Sequence, residues 1–176
     1  HAGAALEGLY RRTGCALQSL YHIPKLRWWI EQGPAAVRKA ARFVTLKDFV
    51  LQRLTGTWAA DLSTWSSSGL LDIRRCRWDE EALGLAGVTA EQLPPLASSF
   101  STAGGLTPAA FRACGLPSGL PVLTGASDGA LANLGCGTLN PGQVVITVGT
   151  SGAIRQWVEE PRLDPAKDVG GNVEEG

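Results

Sequence analysis

The 176-residue chain contains no methionine, and its only histidines are His1 and His22. A chain that opens on His1 without methionine is expected to be an internal segment of a longer protein. No apolar run approaches the roughly 20 residues that a bilayer-spanning helix needs. No signal-peptide pattern opens the chain either, so no membrane partner and a cytoplasmic location are expected. Neither sign of charge is in excess. Sixteen Lys and Arg balance sixteen Asp and Glu, which leaves no overall field to draw the chain to nucleic acid or an anionic surface. Cys15, Cys76, Cys114 and Cys136 form no C-x-x-C pair; no zinc site and no disulfide framework is expected, and the thiols should be reduced. A Walker A motif is missing, as is a G-x-G-x-x-G between strand and helix.

What remains is the composition of a globular fold, with 44% hydrophobic and 18% charged residues. The length suits one sizeable core or parts of two domains. Helical spacing of Leu6, Leu9 and Tyr10, stopped by Gly14, predicts a first helix. "HIPKLRWWIEQG" predicts a second, with Leu26, Trp29 and Ile30 on one face and Gly33 past its end. A short helix over 35–41 follows Pro34. Thr45 is placed to cap a helix carrying Leu46, Phe49, Val50 and Leu54. Asp61 and Ser63 are candidate caps for a short turn, Leu70 to Ile73 a buried apolar step, and Arg74, Arg75 and Arg77 a solvated loop. Asp79, Thr89 and Thr107-Pro108 open three further helical segments. Trp28, Trp29, Trp58 and Trp65 read as packing residues.

From Pro121 the character changes, because "PVLTG" and "QVVITVG" are apolar, β-branched runs bounded by glycine, the pattern of buried strands. "VVITV-GTSG-AIRQWV" predicts a β-hairpin with a four-residue loop, Gly149, Thr150, Ser151 and Gly152. Between the strands, "PVLTGASDGALANLGCG" reads as strand, glycine turn and helix. Gly125-Ala126-Ser127-Asp128-Gly129 fits the G-x-S-x-G nucleophile elbow. That reading requires an acid and then a histidine downstream of the serine, and both histidines lie upstream. Asp128 has a different physical basis: a carboxylate where a helix begins is kept ionised and oriented by unpaired N–H groups and the dipole. A plain capping role accounts for it equally well. The hairpin loop presents hydroxyl and N–H donors to anionic oxygens, or is an ordinary turn.

"PVLTGASDGALANLGCGTLNPGQVVITVGTSGAIR" resembles the junction of the two domains in FGGY carbohydrate kinases. A strand, a Gly-x-x-Asp helix start and a strand-GTSG-strand hairpin occur there in this order and spacing. "SLYHIPKLRWW", "FVTLKDFVLQRLTGTWAADLSTWSSSGLLDI", the Trp78-Asp79 helix start, "LPPL" and "GLPSGLPV" resemble successive upstream segments, so the similarity runs over about residues 8–158. "GASDGALANLG" is most similar to gluconokinases; xylulokinases and glycerol kinases usually carry another polar residue where this chain has Gly129.

The resemblance implies a partial α/β actin-like ATPase (ribonuclease H-like) fold. Residues 1–139 would be the later part of the first, sugar-binding domain and 140–176 the start of the second, ATP-binding one. It implies phosphorylation of a sugar or sugar acid by ATP with Mg²⁺, Asp128 acting as general base and Ser127 as a bystander. Gly149, Thr150, Ser151 and Gly152 would hold ATP phosphates, and Tyr21 and His22 would lie near the sugar. A homodimer of the longer parent is compatible with it. A xylulokinase-like or other polyol kinase is the alternative, as is a noncatalytic sugar- or nucleotide-binding module. The family's amino-terminal Asp-x-Gly-Thr motif is missing, and "DVGGNVEEG" matches no family segment.

Overall fold

A computed structural model describes residues 2–150, 152–166 and 170–171. The first helix, α1 (Ala2–Thr13), sends Leu9 and Tyr10 into the core. Helix α2 (His22–Gln32) is followed by a short α3 (Ala35–Arg38), which stops before the expected Ala41 because the chain turns at Lys39. In α2, Leu26 and Ile30 pack inward, whereas Trp29 departs from its expected place: Trp28 is 55% and Trp29 47% exposed. The two indoles meet edge-on, with centroids 5.1 Å apart, which shields part of each ring without a core around them.

Helix α4 (Leu46–Thr55) begins with a reciprocal capping box, the Asp48 amide donating to Thr45 Oγ1 and the Thr45 amide to Asp48 Oδ2. Two of the four orphan amides at the helix start are thereby satisfied. The buried side of α4 carries Asp48 and Leu51, while Leu46, Phe49 and Val50 lie in solvent; the expected apolar face is turned outward. Burial here follows the Trp65 indole, which donates to Asp48 Oδ2 at 3.1 Å.

Strand β1 (Ala60–Asp61) runs into α5 (Leu62–Ser66), capped by Asp61, which accepts from the Thr64 amide at 2.7 Å. A hairpin of β2 (Leu71–Asp72) and β3 (Arg77–Trp78) leads to α6 (Glu80–Ala86), capped by Asp79. A 3-10 turn, Ala90–Gln92, precedes β4 (Leu96–Ala97), which pairs in parallel with β1. Strand β5 (Thr102–Gly105), the Thr107-capped α7 (Pro108–Cys114) and β6 (Pro121–Leu123) follow, β5 and β6 pairing antiparallel. Last come α8 (Asp128–Gly135), β7 (Val144–Val148) and β8 (Gly152–Gln156).

The main core gathers Leu9, Ile23, Ala60, Trp65, Leu70 and Leu83 from α1, α2, α5, α6 and the strands between. Trp65 also packs edge-on against Trp78, centroids 5.0 Å apart. A second, smaller cluster of Leu51, Ala59 and Ala103 joins α4 to β5 and β6. Arg12 staples α1 to α6 by pairing with Asp79 at 2.5 Å and Glu81 at 2.6 Å. Strands near the carboxy-terminal end are not the buried ones expected. Leu123, Val144, Ile146 and Val148 are exposed and only Val145 of β7 is buried, because among the described residues no element lies across those faces. No helix among the described residues is long and apolar enough to cross a membrane.

Candidate active site

The segment between β6 and α8 is hung from its neighbours at several points. Thr124 is buried and its hydroxyl donates to the Ser98 carbonyl at 2.6 Å. The Gly125 amide donates to the Ser99 carbonyl at 3.0 Å, with Gly125 at φ +70°, a left-handed conformation that glycine adopts without a Cβ penalty. The Ser127 amide then donates to Ser63 Oγ at 3.0 Å, and the two serine hydroxyls lie 3.2 Å apart. Ser63 is fully buried on α5. Ser63, a candidate cap from the sequence, does not cap its own helix, where Asp61 does so; it anchors another one instead.

Ser127, not Asp128, caps α8, its side chain accepting from the Ala130 amide. Asp128 is the first residue of the helix, and its exposed carboxylate accepts from the Gly129 amide at 2.7 Å. It has no other hydrogen bond or ion pair among the described residues. An oriented carboxylate with an oxygen left for an incoming proton donor is what a general base requires. A serine nucleophile, in contrast, needs a histidine, and among the described residues none has a hydrogen bond to Ser127.

Behind this turn lies a charged pair that sequence reading did not single out. Lys47 of α4 binds Asp61 Oδ2 at 2.5 Å and Thr64 Oγ1 at 3.3 Å. Its ammonium also lies 3.9 Å from where a Cβ on Gly125 would stand. Asp61 is fully buried, so this ion pair welds α4, α5 and the turn before Asp128 together. Asp61 could be found as a cap; nothing in "TLKDF" marks Lys47 as its partner.

In the hairpin, Val148 pairs with Gly152. The loop is therefore three residues rather than four, Gly152 opening β8. Gly149 and Thr150 are exposed, and Ser151 lies outside the described residues. The hairpin reaches α8 through Arg155: a Cβ on Gly129 would meet Arg155 Nε at 2.8 Å and Nη2 at 3.4 Å. The structure thus brings the hairpin and the Asp128 helix start together. Tyr21 and His22 stand at the start of α2. Tyr21 directs its hydroxyl toward Gly170, and His22 lies beside Trp65, ring centroids 5.9 Å apart. Neither has a hydrogen bond to Asp128. Among the described residues the buried His22 Nδ1 has no hydrogen-bond partner; burial first, and the Lys25 charge second, lower the His22 pKa below the ordinary value.

Residues 3–135 match the model of the amino-terminal domain of the FGGY family of carbohydrate kinases. The chain belongs to this family. A gluconokinase of Bacillus licheniformis is 31% identical to the FGGY chain over 156 residues, 89% of the chain and 30% of the relative. A xylulose kinase of Bacillus subtilis is 33% identical over 144 residues, 82% of the chain and 29% of that protein. Among solved structures, gluconate kinase from Lactobacillus acidophilus superimposes with a TM-score of 0.88 at 27% identity, over 97% of this chain and 36% of that one. The FGGY chain thus has part of the actin-like ATPase fold of these kinases and spans about a third of their length. Among the described residues no three His, Cys, Asp or Glu side chains converge on a cation site.

Proposed function

We propose that the protein carrying this chain transfers the γ-phosphoryl group of ATP to a hydroxyl of a sugar acid, D-gluconate being the first candidate. The observation that carries the reading is the Asp128 carboxylate, held at the first turn of α8 by the Gly129 amide and with no other partner among the described residues. In the reaction, the sugar hydroxyl gives its proton to Asp128 while its oxygen forms a bond to the γ-phosphorus. The bond from that phosphorus to the β,γ-bridging oxygen breaks, and ADP leaves. The base does little bond making itself; positioning and charge neutralisation supply most of the acceleration.

Residues Gly149, Thr150, Ser151 and Gly152 are the proposed seat of the ATP phosphates, with Thr150 as the hydroxyl contact. The exposed hairpin tip has the right donors, backbone N–H groups and a hydroxyl. Mg²⁺ would come with the phosphates, whose oxygens are the hard donors it prefers, and would supply charge neutralisation there. Residues 1–139 would close the sugar-binding domain and 140–176 begin the ATP-binding one. Tyr21 and His22 are the proposed sugar-side contacts.

D-gluconate is favoured by the Asp128-Gly129 wording and by the gluconokinase relative. A pentulose is the second candidate, because the xylulose kinase relative is as similar. The full reading-frame product, assayed by coupled ADP release with D-gluconate, D-xylulose, D-ribulose and glycerol, separates them. A preference for another sugar refutes the substrate. Asp128→Asn should lower kcat by roughly 10² to 10⁴; retention of the wild-type rate refutes the base.

A further inference from the structure

We propose that Arg155, seated in the gap left by Gly129, is an oxyanion-binding specificity residue of this site. This rests on the kinase reading above and extends it to the chemical class of the group bound.

Three observations carry it. First, β8 presents its side chains the wrong way round for an ordinary amphipathic strand: Ile154 is 74% exposed, whereas Ala153 and Arg155 are half-buried. An arginine less exposed than the neighbouring isoleucine is not what apolar burial alone would give, so the strand's orientation is set by something else as well. Second, the guanidinium is only partly engaged. Nη1 donates to Thr147 Oγ1 at 3.0 Å, and among the described residues Arg155 has no carboxylate partner. The Nε–Nη2 edge, the fork that receives carboxylate or phosphoryl oxygens in bidentate fashion, is the edge lying against Gly129. Third, residue 129 follows the proposed base directly, and the space a side chain would take there is occupied by that edge, 2.8 Å from a notional Cβ. Glycine at 129 and arginine at 155 are therefore one device.

The fork lies within one residue of the carboxylate that would deprotonate the substrate, and beside a helix start whose own amides favour negative charge. The oxyanion has two sources: the carboxylate of a sugar acid, or a phosphoryl oxygen of the nucleotide.

Calorimetric titration of the full reading-frame product tells them apart, using D-gluconate, D-glucitol and ADP as probes. D-glucitol keeps the carbon skeleton of gluconate and replaces its carboxylate by CH₂OH. Two variants are needed. Arg155→Gln removes the charge; Gly129→Ala keeps the arginine but puts a methyl 2.8 Å from its Nε, a clash that pushes on the guanidinium, whose atoms are the three nearest to that methyl. If the carboxylate is bound, both variants weaken D-gluconate by roughly 10- to 100-fold while D-glucitol and ADP stay within about threefold. Weakening of ADP by that factor, with D-gluconate spared, assigns the fork to the nucleotide. Unchanged affinity for D-gluconate and ADP in both variants overturns the proposal, as does an equal loss for all three probes, which is the signature of a structural role. Should Arg155→Gln fail to fold, Gly129→Ala alone decides by the same criteria. A wild-type protein that binds neither D-gluconate nor ADP refutes the kinase reading itself, a result distinct from any variant effect.

Discussion

Replacing Ser63 by alanine tests whether the Asp128 helix is held from a distance. Ser63 Oγ accepts from the Ser127 amide at 3.0 Å and lies 3.2 Å from Ser127 Oγ. Its removal leaves that amide without its acceptor at a half-buried position, where water replaces the bond only in part. A lost hydrogen bond of this kind costs about 1–2 kcal/mol. Loss should concentrate where the bond acts. The Leu131 amide, which donates to the Ser127 carbonyl at 3.0 Å, and the Ala130 amide, which donates to Ser127 Oγ at 3.4 Å, should exchange roughly 10-fold faster. The Leu83 amide of α6 should be unaffected. Urea unfolding of the chain gives the global figure, and hydrogen exchange the local one. A stability change below about 0.5 kcal/mol, or unaltered exchange at Ala130 and Leu131, would refute the anchoring role.

Lys47→Met should destabilise more than Ser63→Ala in the same urea titration, by about 2–4 kcal/mol, because it leaves the fully buried Asp61 carboxylate without its cation. A smaller effect than that of Ser63→Ala would mean that Asp61 finds other compensation. Native-state alkylation with iodoacetamide should modify Cys76, Cys114 and Cys136, which are exposed, and spare Cys15, whose thiol burial pushes up to about 12; mass mapping of the adducts checks this. His22 should make stability fall on mild acidification. Its folded pKa lies below the unfolded value of 6.5, so the unfolded chain takes up the proton first and stability, full above that value, is lost as pH falls through it. His22→Phe should flatten the slope between about pH 7 and 5; an unchanged slope would place its origin in other groups.

Local chemistry was legible in the sequence, and packing partners were not. Thr45, Asp61, Asp79 and Thr107 cap their helices as expected, since a cap is an interaction with an amide three residues on and needs no knowledge of the rest of the fold. The same logic was ambiguous at Ser127 and Asp128, adjacent residues that both cap well; the distant Ser63 decides between them. Trp28 and Trp29 read as packing residues on hydrophobicity alone. They lie outside because burial depends on which surface arrives to cover a face, and periodicity does not carry that information. Arg155 was invisible for the converse reason, as strand alternation beside Ile154 assigns it to solvent. Asp128 and the 149–152 loop were candidates on local chemistry, each with an ordinary structural alternative; family resemblance, which encodes long-range order that residue-by-residue chemistry lacks, gave them their expected roles.

The serine pair has a consequence for the order in which the molecule assembles. Its partners are 64 residues apart, and closing a loop of that length costs about 4 kcal/mol of chain entropy. Hydrogen bonds worth about 1 kcal/mol each cannot meet that cost alone. The contact must close after the β1–β4 and β5–β6 pairings have already brought α5 and the Ser127 turn together. Helix α8 can form early from its own cap, but the direction in which it aims Asp128 is acquired late. A mutation in the amino-terminal core that weakens this closure at equilibrium would therefore leave a population of molecules with helical Asp128 and no aimed carboxylate, folded by circular dichroism and silent in the assay.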